Sequence, residues 1–326
     1  MIDDPAIRIG DLIGDRYRLE SLIASGGMAS VYRARDESLS RDVAIKIMTS
    51  APSDQVASRR EKAEVRLLAT LSHPSLVTLF DATIANFSGE DRTYLVMELV
   101  DGPNLRERID AGPIRVVDLW QMAADIAEAL TVVHAKGIVH RDIKPANILL
   151  ETSPSPVFEF SAKLADFGIA YLIDATRITA TGTAIGTAAY LSPEQATGAK
   201  PSPSADIYSF GLVLLESLTF KREFPGPLAE SVSARLGRDP VVPGDLGQGW
   251  RSLLVGMTAR SPEQRPTAAE VAIVAHAGLH NEIGTTEASL STVAPATRLD
   301  SASDDTEALP IVDDSSRTQV LPAPSV

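Results

Sequence analysis

The chain has 326 residues, no cysteine and a formal net charge of −13. The length suits two packed lobes plus a tail, and the missing cysteine excludes a disulfide framework, a thiolate metal site and a cysteine nucleophile. The acidic balance argues against a nucleic-acid binder, because phosphate contacts need clustered Lys and Arg.

Residues 1–16 read as an N-terminal extension whose acids, MIDDPAIRIGDLIGDRY, stand where a secretory leader needs bases. The longest apolar runs, LVLL (212–215) and VAIVA (271–275), are core-helix pieces too short to cross a bilayer. A soluble, cytoplasmic protein with no membrane span is therefore expected. From Tyr17, the short β-prone runs YRLESLIA (17–24), ASVYRAR (29–35) and DVAIKIM (42–48) predict strands, with Gly26 and Gly27 at the first turn. LVTLFDA (76–82) and TYLVMEL (93–99) continue the sheet. Between them Ala63, Leu67 and Leu71 recur every fourth residue, one face of a helix over 54–71 that the His73–Pro74 pair ends.

After residue 100 the pattern turns helical, with VVDLWQMAADIAEALTVVHAKG (116–137), ADIYSFGLVLLESLTF (205–220) and TAAEVAIVAHAGL (267–279), each bounded by Gly, Pro or Ser. The pattern predicts an α+β, bilobal fold: a small β-rich lobe over 17–98 and a larger, mainly helical lobe over 99–280. Residues 281–326 hold eight acids against two bases, thirteen Ser or Thr and no aromatic residue, so a disordered tail is expected there.

Several separated segments carry groups suited to phosphoryl transfer. That reaction needs a cradle around phosphates, cations across them and an acceptor hydroxyl aimed in line. In HRDIKPAN (140–147), Asp142 can accept the proton or hydrogen bond of an acceptor hydroxyl. Lys144 can neutralise the transferring phosphate, and Asn147 offers an amide oxygen to a hard cation. DFG (166–168) follows the strand-like AKLA (162–165) and places Asp166, suited to be the principal Mg2+ ligand, nineteen residues beyond Asn147. VAIK (43–46) ends a strand on Lys46, suited to grip the α- and β-phosphates. Any one of these residues alone fits a charged turn or a solvated strand edge; the ordered set does not.

ASGGMASVY, VAIK, LSHPSLV, YLVMELVDG, HRDIKPAN, DFG, GTAAYLSPEQA and DIYSFG follow in order from Tyr17 to about Leu279. That stretch resembles the bacterial Hanks-type serine/threonine protein kinases, especially the actinobacterial ones. The resemblance implies a protein kinase using ATP with Mg2+, or Mn2+, and acting on protein Ser or Thr hydroxyls. It implies that Lys46 pairs with a glutamate on helix 54–71: Glu64, nine residues before His73, is preferred, and Glu61 one turn earlier is its rival. It implies nucleotide contacts from Ile23, Ala24, Ser25, Gly26, Gly27, Met28, Ala29, Val31, Ala44 and Lys46. Met97 would be the gatekeeper, with Glu98 and Val100 offering backbone groups to the adenine edge.

The glycine-rich pattern G-x-G-x-x-G-x-V departs here, since Ala24 and Ala29 replace its outer glycines and only Gly26 matches. A backbone without Cβ approaches phosphates closely, so the two methyls imply weaker or more selective nucleotide binding. By the same resemblance Glu194 of SPE pairs with Arg265, Asp206 anchors the catalytic loop, and Thr187 contacts Asp142 and Lys144. Arg141 before Asp142 implies activation by phosphate on the loop after DFG, with Thr179 and Thr181 the aligned sites and Thr183 a further candidate. A transient homodimer for autophosphorylation and phosphothreonine-binding (FHA-type) partners are implied in turn. The connection over 151–162 is roughly six residues longer than is usual in such kinases, with no functional account.

Two other readings fit the sequence less well. A pseudokinase-type phospho-docking scaffold would be expected to lack Lys46, Asp142 or Asp166, and all three are present. A small-molecule kinase of related fold would lack the combined SPE, DIYSFG and Arg265 pattern.

Overall fold

Alternation of apolar and polar residues builds the first lobe as an antiparallel sheet. The computed structural model of the chain describes residues 7–27, 29–49, 69–87, 89–166, 188–200 and 202–291, with backbone alone over 285–291. Strands β1 (Leu12–Ile13), β2 (Tyr17–Ser25), β3 (Ala29–Asp36), β4 (Arg41–Met48), β5 (Leu79–Phe87) and β6 (Glu90–Glu98) pair in the order β1-β2-β3-β4-β6-β5. One face of β4 carries Val43, Ile45 and Ile47, which join Tyr17, Leu19, Tyr32, Tyr94 and Val96 in a core of their own.

The opposite face matters for function. The register sets Ala24 against Val31, Val31 against Lys46, Lys46 against Leu95 and Ala44 against Met97. Directly opposed residues share a face of the sheet. Ala24, Val31, Ala44, Lys46, Leu95 and Met97 thus lie on one side, and Leu95 and Met97 there pack into the core of the second lobe.

The second lobe is organised around helix α4 (Pro203–Thr219), whose residues from Ala205 to Ser217 are all buried. A helix apolar on every side belongs at the centre of a core. Pro203 opens it at the first turn, where its missing N–H costs nothing, and Phe220 ends it in a left-handed conformation (φ 58). Around it lie α1 (Leu105–Asp110), α2 (Val116–Ala135), α3 (Pro193–Ala196), α5 (Leu228–Gly237), α6 (Gln248–Met257) and α7 (Ala268–Ser291). Asn104 with Glu107, and Ser192 with Gln195, form reciprocal capping boxes that start α1 and α3.

A two-stranded hairpin, β7 (Ile148–Thr152) and β8 (Phe160–Leu164), floors the cleft. The Ser75 carbonyl accepts from the Leu164 N–H at 2.9 Å and the Leu164 carbonyl from the Val77 N–H at 3.0 Å, tying the segment before β5 to this hairpin. The linker between lobes passes so close to β7 that a Cβ on Gly102 would meet the Leu150 carbonyl oxygen at 1.9 Å. The long 151–162 connection is the tip of this hairpin. It is held down by Arg108 on Glu159 (2.7 Å), by Asp118 accepting from the Glu159 N–H (2.8 Å) and by Arg115 on the Val157 carbonyl (3.1 Å).

The predicted strands and the helices expected over 116–137 and 205–220 are present within about five residues of their expected limits, while the helix expected over 267–279 starts one residue later and ends well beyond them. Strand β1 and helices α1, α3, α5 and α6 had not been expected. Helix α7 runs on to Ser291, beyond the expected lobe boundary at residue 280, with Ile283 packed against the core. Residues 292–326 of the expected tail, and most of the expected helix over 54–71, lie outside the described residues. Among the described residues no helix is long and apolar enough to cross a membrane.

Candidate active site

The HRDIKPAN segment leaves α2 and is pinned from beneath by α4. Asp206, 1 % exposed, accepts from the His140 N–H at 2.8 Å and the Arg141 N–H at 2.9 Å, and its Oδ2 meets His134 Nε2 at 2.8 Å. Arg141 consequently holds a left-handed backbone (φ 70), a conformation costly for a residue with a Cβ and kept only when its surroundings over-determine it. His140 is fully buried: Nε2 faces the Ala165 carbonyl at 3.0 Å and Nδ1 faces the Asp142 N–H at 3.3 Å. These partners require a proton on Nε2 and none on Nδ1, and burial, the largest influence, pushes the imidazole below its ordinary pKa.

This frame presents the polar side chains to the cleft. Asp142 Oδ2 accepts from Lys144 Nζ at 2.8 Å and from Asn147 Nδ2 at 3.0 Å. Asn147 Nδ2 also donates to the Asp142 carbonyl at 2.7 Å, which leaves its amide oxygen outside this exchange. Asp142 Oδ1 is buried without a hydrogen-bond partner among the described residues. Asp166 follows β8 in a left-handed conformation (φ 57), fixed where the Ala165 N–H donates to the Asn147 carbonyl at 2.8 Å. Lys46 reaches down from the sheet to Asp166 Oδ1 at 2.7 Å. Burial pushes the Asp166 carboxyl up, but the Lys46 ammonium, aided by Lys144, draws it further down, to below the usual carboxylate range.

The face of the sheet above these groups carries Val31, Ala44 and Met97, with Ala24 at its rim. Between β2 and β3 the Gly26 N–H donates to the Ala29 carbonyl at 3.0 Å, and the hydroxyls of Ser25 and Ser30 lie 3.3 Å apart. Ile23 is 52 % exposed, and Gly27 accepts from the Thr49 hydroxyl at 3.2 Å. A Cβ on Gly26 would meet nothing closer than the Ala29 carbonyl at 3.8 Å, so the fold itself tolerates a side chain there. At the linker the Glu98 N–H is taken by the Thr78 carbonyl at 2.9 Å, and the Glu98 side chain pairs with Lys163 at 2.9 Å. Val100, two residues on, is half-buried.

On the far side of the cleft, Glu194 and Arg265 form a two-pronged ion pair at 2.7 and 2.9 Å. The Arg265 side chain is fully buried, donates also to the carbonyls of Ser204, Ala259 and Arg260, and stacks on Tyr208 with its guanidinium 4.8 Å from the ring. Sequence reasoning missed three partners of this region. Tyr190 donates its hydroxyl to Glu216 at 2.5 Å, Arg106 reaches the same carboxylate at 2.5 Å, and the buried Arg235 donates to the Ala189 carbonyl at 2.8 Å. The motif GTAAY flagged the loop but not the helix residues that hold it.

The structure thus gathers Lys46, Asp142, Lys144, Asn147 and Asp166 at one cleft beneath Val31, Ala44 and Met97. Glu194, Asp206 and Arg265 lie in its supporting frame. Met28, Glu61, Glu64, Phe167, Gly168, Thr179, Thr181, Thr183 and Thr187 fall outside the described residues. Among the described residues no group of three or more His, Cys, Asp or Glu could hold a metal ion. The oxygen donors at hand, the Asn147 amide and the Asp166 carboxylate, suit a hard cation that completes its shell with phosphate and water.

Residues 17–276 match the model of the protein kinase domain. The chain is 39 % identical over 263 residues to the serine/threonine-protein kinase PknA of Mycobacterium tuberculosis, covering 79 % of this chain and 60 % of that one. It is 39 % identical over 271 residues to the serine/threonine-protein kinase PknB of Mycobacterium leprae, covering 79 % and 42 % respectively. It is 36 % identical over 276 residues to a probable serine/threonine-protein kinase PknB of Lactococcus lactis, covering 81 % and 42 %. The chain therefore spans 60 % or less of the length of these relatives. With a β-rich lobe, a helical lobe and the motifs of both in order, the chain belongs to the protein kinase family.

Proposed function

We propose that this chain is a serine/threonine protein kinase that transfers the γ-phosphate of ATP to hydroxyl groups of protein Ser or Thr residues. The observation that carries the reading is Asp142, with one carboxylate oxygen held by Lys144 and Asn147 and the other buried without a partner among the described residues. That second oxygen accepts the hydrogen bond of the incoming hydroxyl. The hydroxyl oxygen attacks the γ-phosphorus, the bond from that phosphorus to the β-phosphate oxygen breaks, ADP leaves with the electron pair, and the proton passes to Asp142. Lys144, within 2.8 Å of Asp142, faces the charge of the phosphoryl group in flight. Lys46 holds the α- and β-phosphates, and Glu64, outside the described residues, is its proposed glutamate partner.

Asn147 and Asp166 would hold Mg2+, or Mn2+, which when bound supplies charge neutralisation across the phosphates. The adenine lies under Val31, Ala44 and Met97, and its polar edge meets the Glu98 carbonyl and Val100, because the Glu98 N–H is already engaged. Gly26 allows the loop backbone close approach to the phosphates, in a fold that does not itself demand a glycine there. The lobes divide at 98/99.

Regulation follows from Arg141, whose Nε is buried without a partner among the described residues. Phosphate on Thr179 or Thr181 would give it one, added by a second copy in a transient homodimer. Hydroxyls of the Ser- and Thr-rich tail, once phosphorylated, would recruit phosphothreonine-binding partners. A cytoplasmic location is part of the same reading.

The test is Asp142→Asn. Transfer from labelled ATP to a protein substrate should fall by at least about a hundredfold, the scale of one acid–base or electrostatic contribution. Circular dichroism should be unchanged. Transfer at the unsubstituted rate would overturn the mechanism and favour a phospho-docking scaffold with contaminating activity.

A further inference from the structure

A cavity of about 500 Å³ opens on the second lobe, walled by α2, α4, α6 and α7, with no residue of the cleft in its lining among the described residues. Its floor is a pair of stacked tryptophans, Trp120 and Trp250, with ring centroids 3.6 Å apart and planes 16° from parallel. Gly278 makes room for that pair, since a Cβ there would meet the Trp120 ring at 2.6 Å. Trp250 is 4 % exposed, and its Nε1 is buried without a hydrogen-bond partner among the described residues. The rim leaves large apolar side chains in water, Val116 at 38 % and Phe220 at 44 % exposure.

The charges at the cavity have one sign. Asp245 and Glu282 line it, and no Lys, Arg or His does so among the described residues. A volume of this size lies within the span of small-molecule sites, roughly 300–1,000 Å³, which combine apolar walls with a few polar groups. Apolar walls take up a hydrocarbon or ring body. Two carboxylates beside aromatic faces favour a cation, through charge pairing and through the negative face of the indole ring. We propose that this cavity is a second ligand site, separate from the nucleotide cleft, for a small amphiphile with an apolar body and a cationic amine head. The body lies against Leu218, Leu246 and the tryptophan floor, and the ammonium lies between Asp245 and Glu282.

The chain has two tryptophans and both line this cavity, so tryptophan emission reads this site and no other. The experiment titrates the full chain with octylammonium and, as a control with a closely similar body and the opposite charge, with octanoate. The expected result is a saturable emission change with octylammonium and an affinity at least about tenfold higher than for octanoate. The double variant Asp245→Asn with Glu282→Gln should abolish that preference. Leu246→Phe, which narrows the cavity, should weaken both ligands while melting as the unsubstituted chain does. If Leu246→Phe misfolds, Val116→Phe at the exposed start of α2 serves the same purpose. Equal affinity for the two ligands, no saturable change, or undiminished binding in a folded narrowed variant would each overturn the proposal.

Discussion

Lys46 Nζ lies 2.7 Å from Asp166 Oδ1, joining residues 120 positions apart across the cleft between the lobes. Burial raises the Asp166 carboxyl and Lys46 lowers it by more, so its folded pKa lies below the unfolded one. A group shifted downward stabilises the fold above its unfolded pKa, about 3.9 for Asp, and loses that contribution as pH falls through the folded value. Lys46→Met removes the counter-charge and leaves the burial. The acid-unfolding midpoint, followed by circular dichroism, should then move to higher pH, and phosphoryl transfer should fall by about a hundredfold or more. An unmoved midpoint would mean that the pair does not set the Asp166 carboxyl.

Asp206 controls the catalytic loop through two backbone N–H groups. Asp206→Ala leaves those of His140 and Arg141 without their acceptor and frees Arg141 from its left-handed conformation. A buried unsatisfied donor costs about 1–3 kcal/mol, so with two of them denaturant unfolding should show a loss of about 2–6 kcal/mol. Activity should fall further than the folded population does, because Asp142 is carried on the same loop. Asp206→Asn keeps one acceptor oxygen and should lose less on both measures.

The Glu194–Arg265 pair should be unequal under substitution. Arg265→Ala deprives Glu194 and three backbone carbonyls of a donor at once, and about 3–5 kcal/mol should be lost. Arg265→Lys retains the charge but not the two-pronged geometry, and should recover only part of it. Chemical denaturation of the purified variants gives both values.

The cleft was legible from sequence because its polar residues come in short, dense segments. HRDIKPAN places Asp142, Lys144 and Asn147 within six residues of one another, and the structure brings the three side chains within hydrogen-bond reach. The sheet was legible because β2, β3, β4 and β6 are β-prone runs cut by Gly or charged turns. Helix α5 was not. It begins after a Gly- and Pro-rich stretch and buries only Ser231 and Arg235, so the apolar period that marks a helix is missing, whereas α6 carries that period in Trp250, Leu253, Leu254 and Met257. The clamp on Tyr190 was hidden for another reason. Arg106, Glu216 and Arg235 come from three separate helices, Arg106 lying 110 residues before Glu216, and only the tertiary packing puts them beside one loop.

The lobe boundary drawn at residue 280 cuts through α7, and that has a measurable consequence. Ile283 packs against the core, so a chain ending at His280 loses part of the last helix and its contacts. Such a truncation should lower the melting temperature by a few degrees, about 2–4 °C for each kcal/mol in a domain of this size. Ile283→Ala in the full chain should reproduce much of the loss. A truncated chain that melts as the full one does would place the end of the folded lobe at residue 280 after all.

Arg235 is the most unusual buried group near the cleft. Its residue exposure is 1 %, yet Nε and Nη1 have no hydrogen-bond partner and no carboxylate pairs with it among the described residues. Burial pulls the guanidinium below its ordinary pKa, and Tyr208 offsets part of that. Nη2 donates to the Ala189 carbonyl at 2.8 Å, and the guanidinium carbon stands 4.9 Å from the centre of the Phe224 ring. The charge therefore serves the loop at 188–190, which in the proposed kinase borders the peptide substrate. Arg235→Met fills a similar volume without burying a charge. Replacing a buried ion by an apolar residue of like size is often neutral or stabilising, so the melting temperature should hold or rise. What should suffer is the loop: KM for a protein substrate should rise by about three- to tenfold, the net scale of one ordinary hydrogen bond, while KM for ATP stays constant. Arg235→Lys keeps a donor near Ala189 and should rescue part of the substrate KM. A melting temperature that drops by many degrees, or a KM for ATP that rises in parallel, would assign Arg235 to the core of the lobe instead of to the substrate loop.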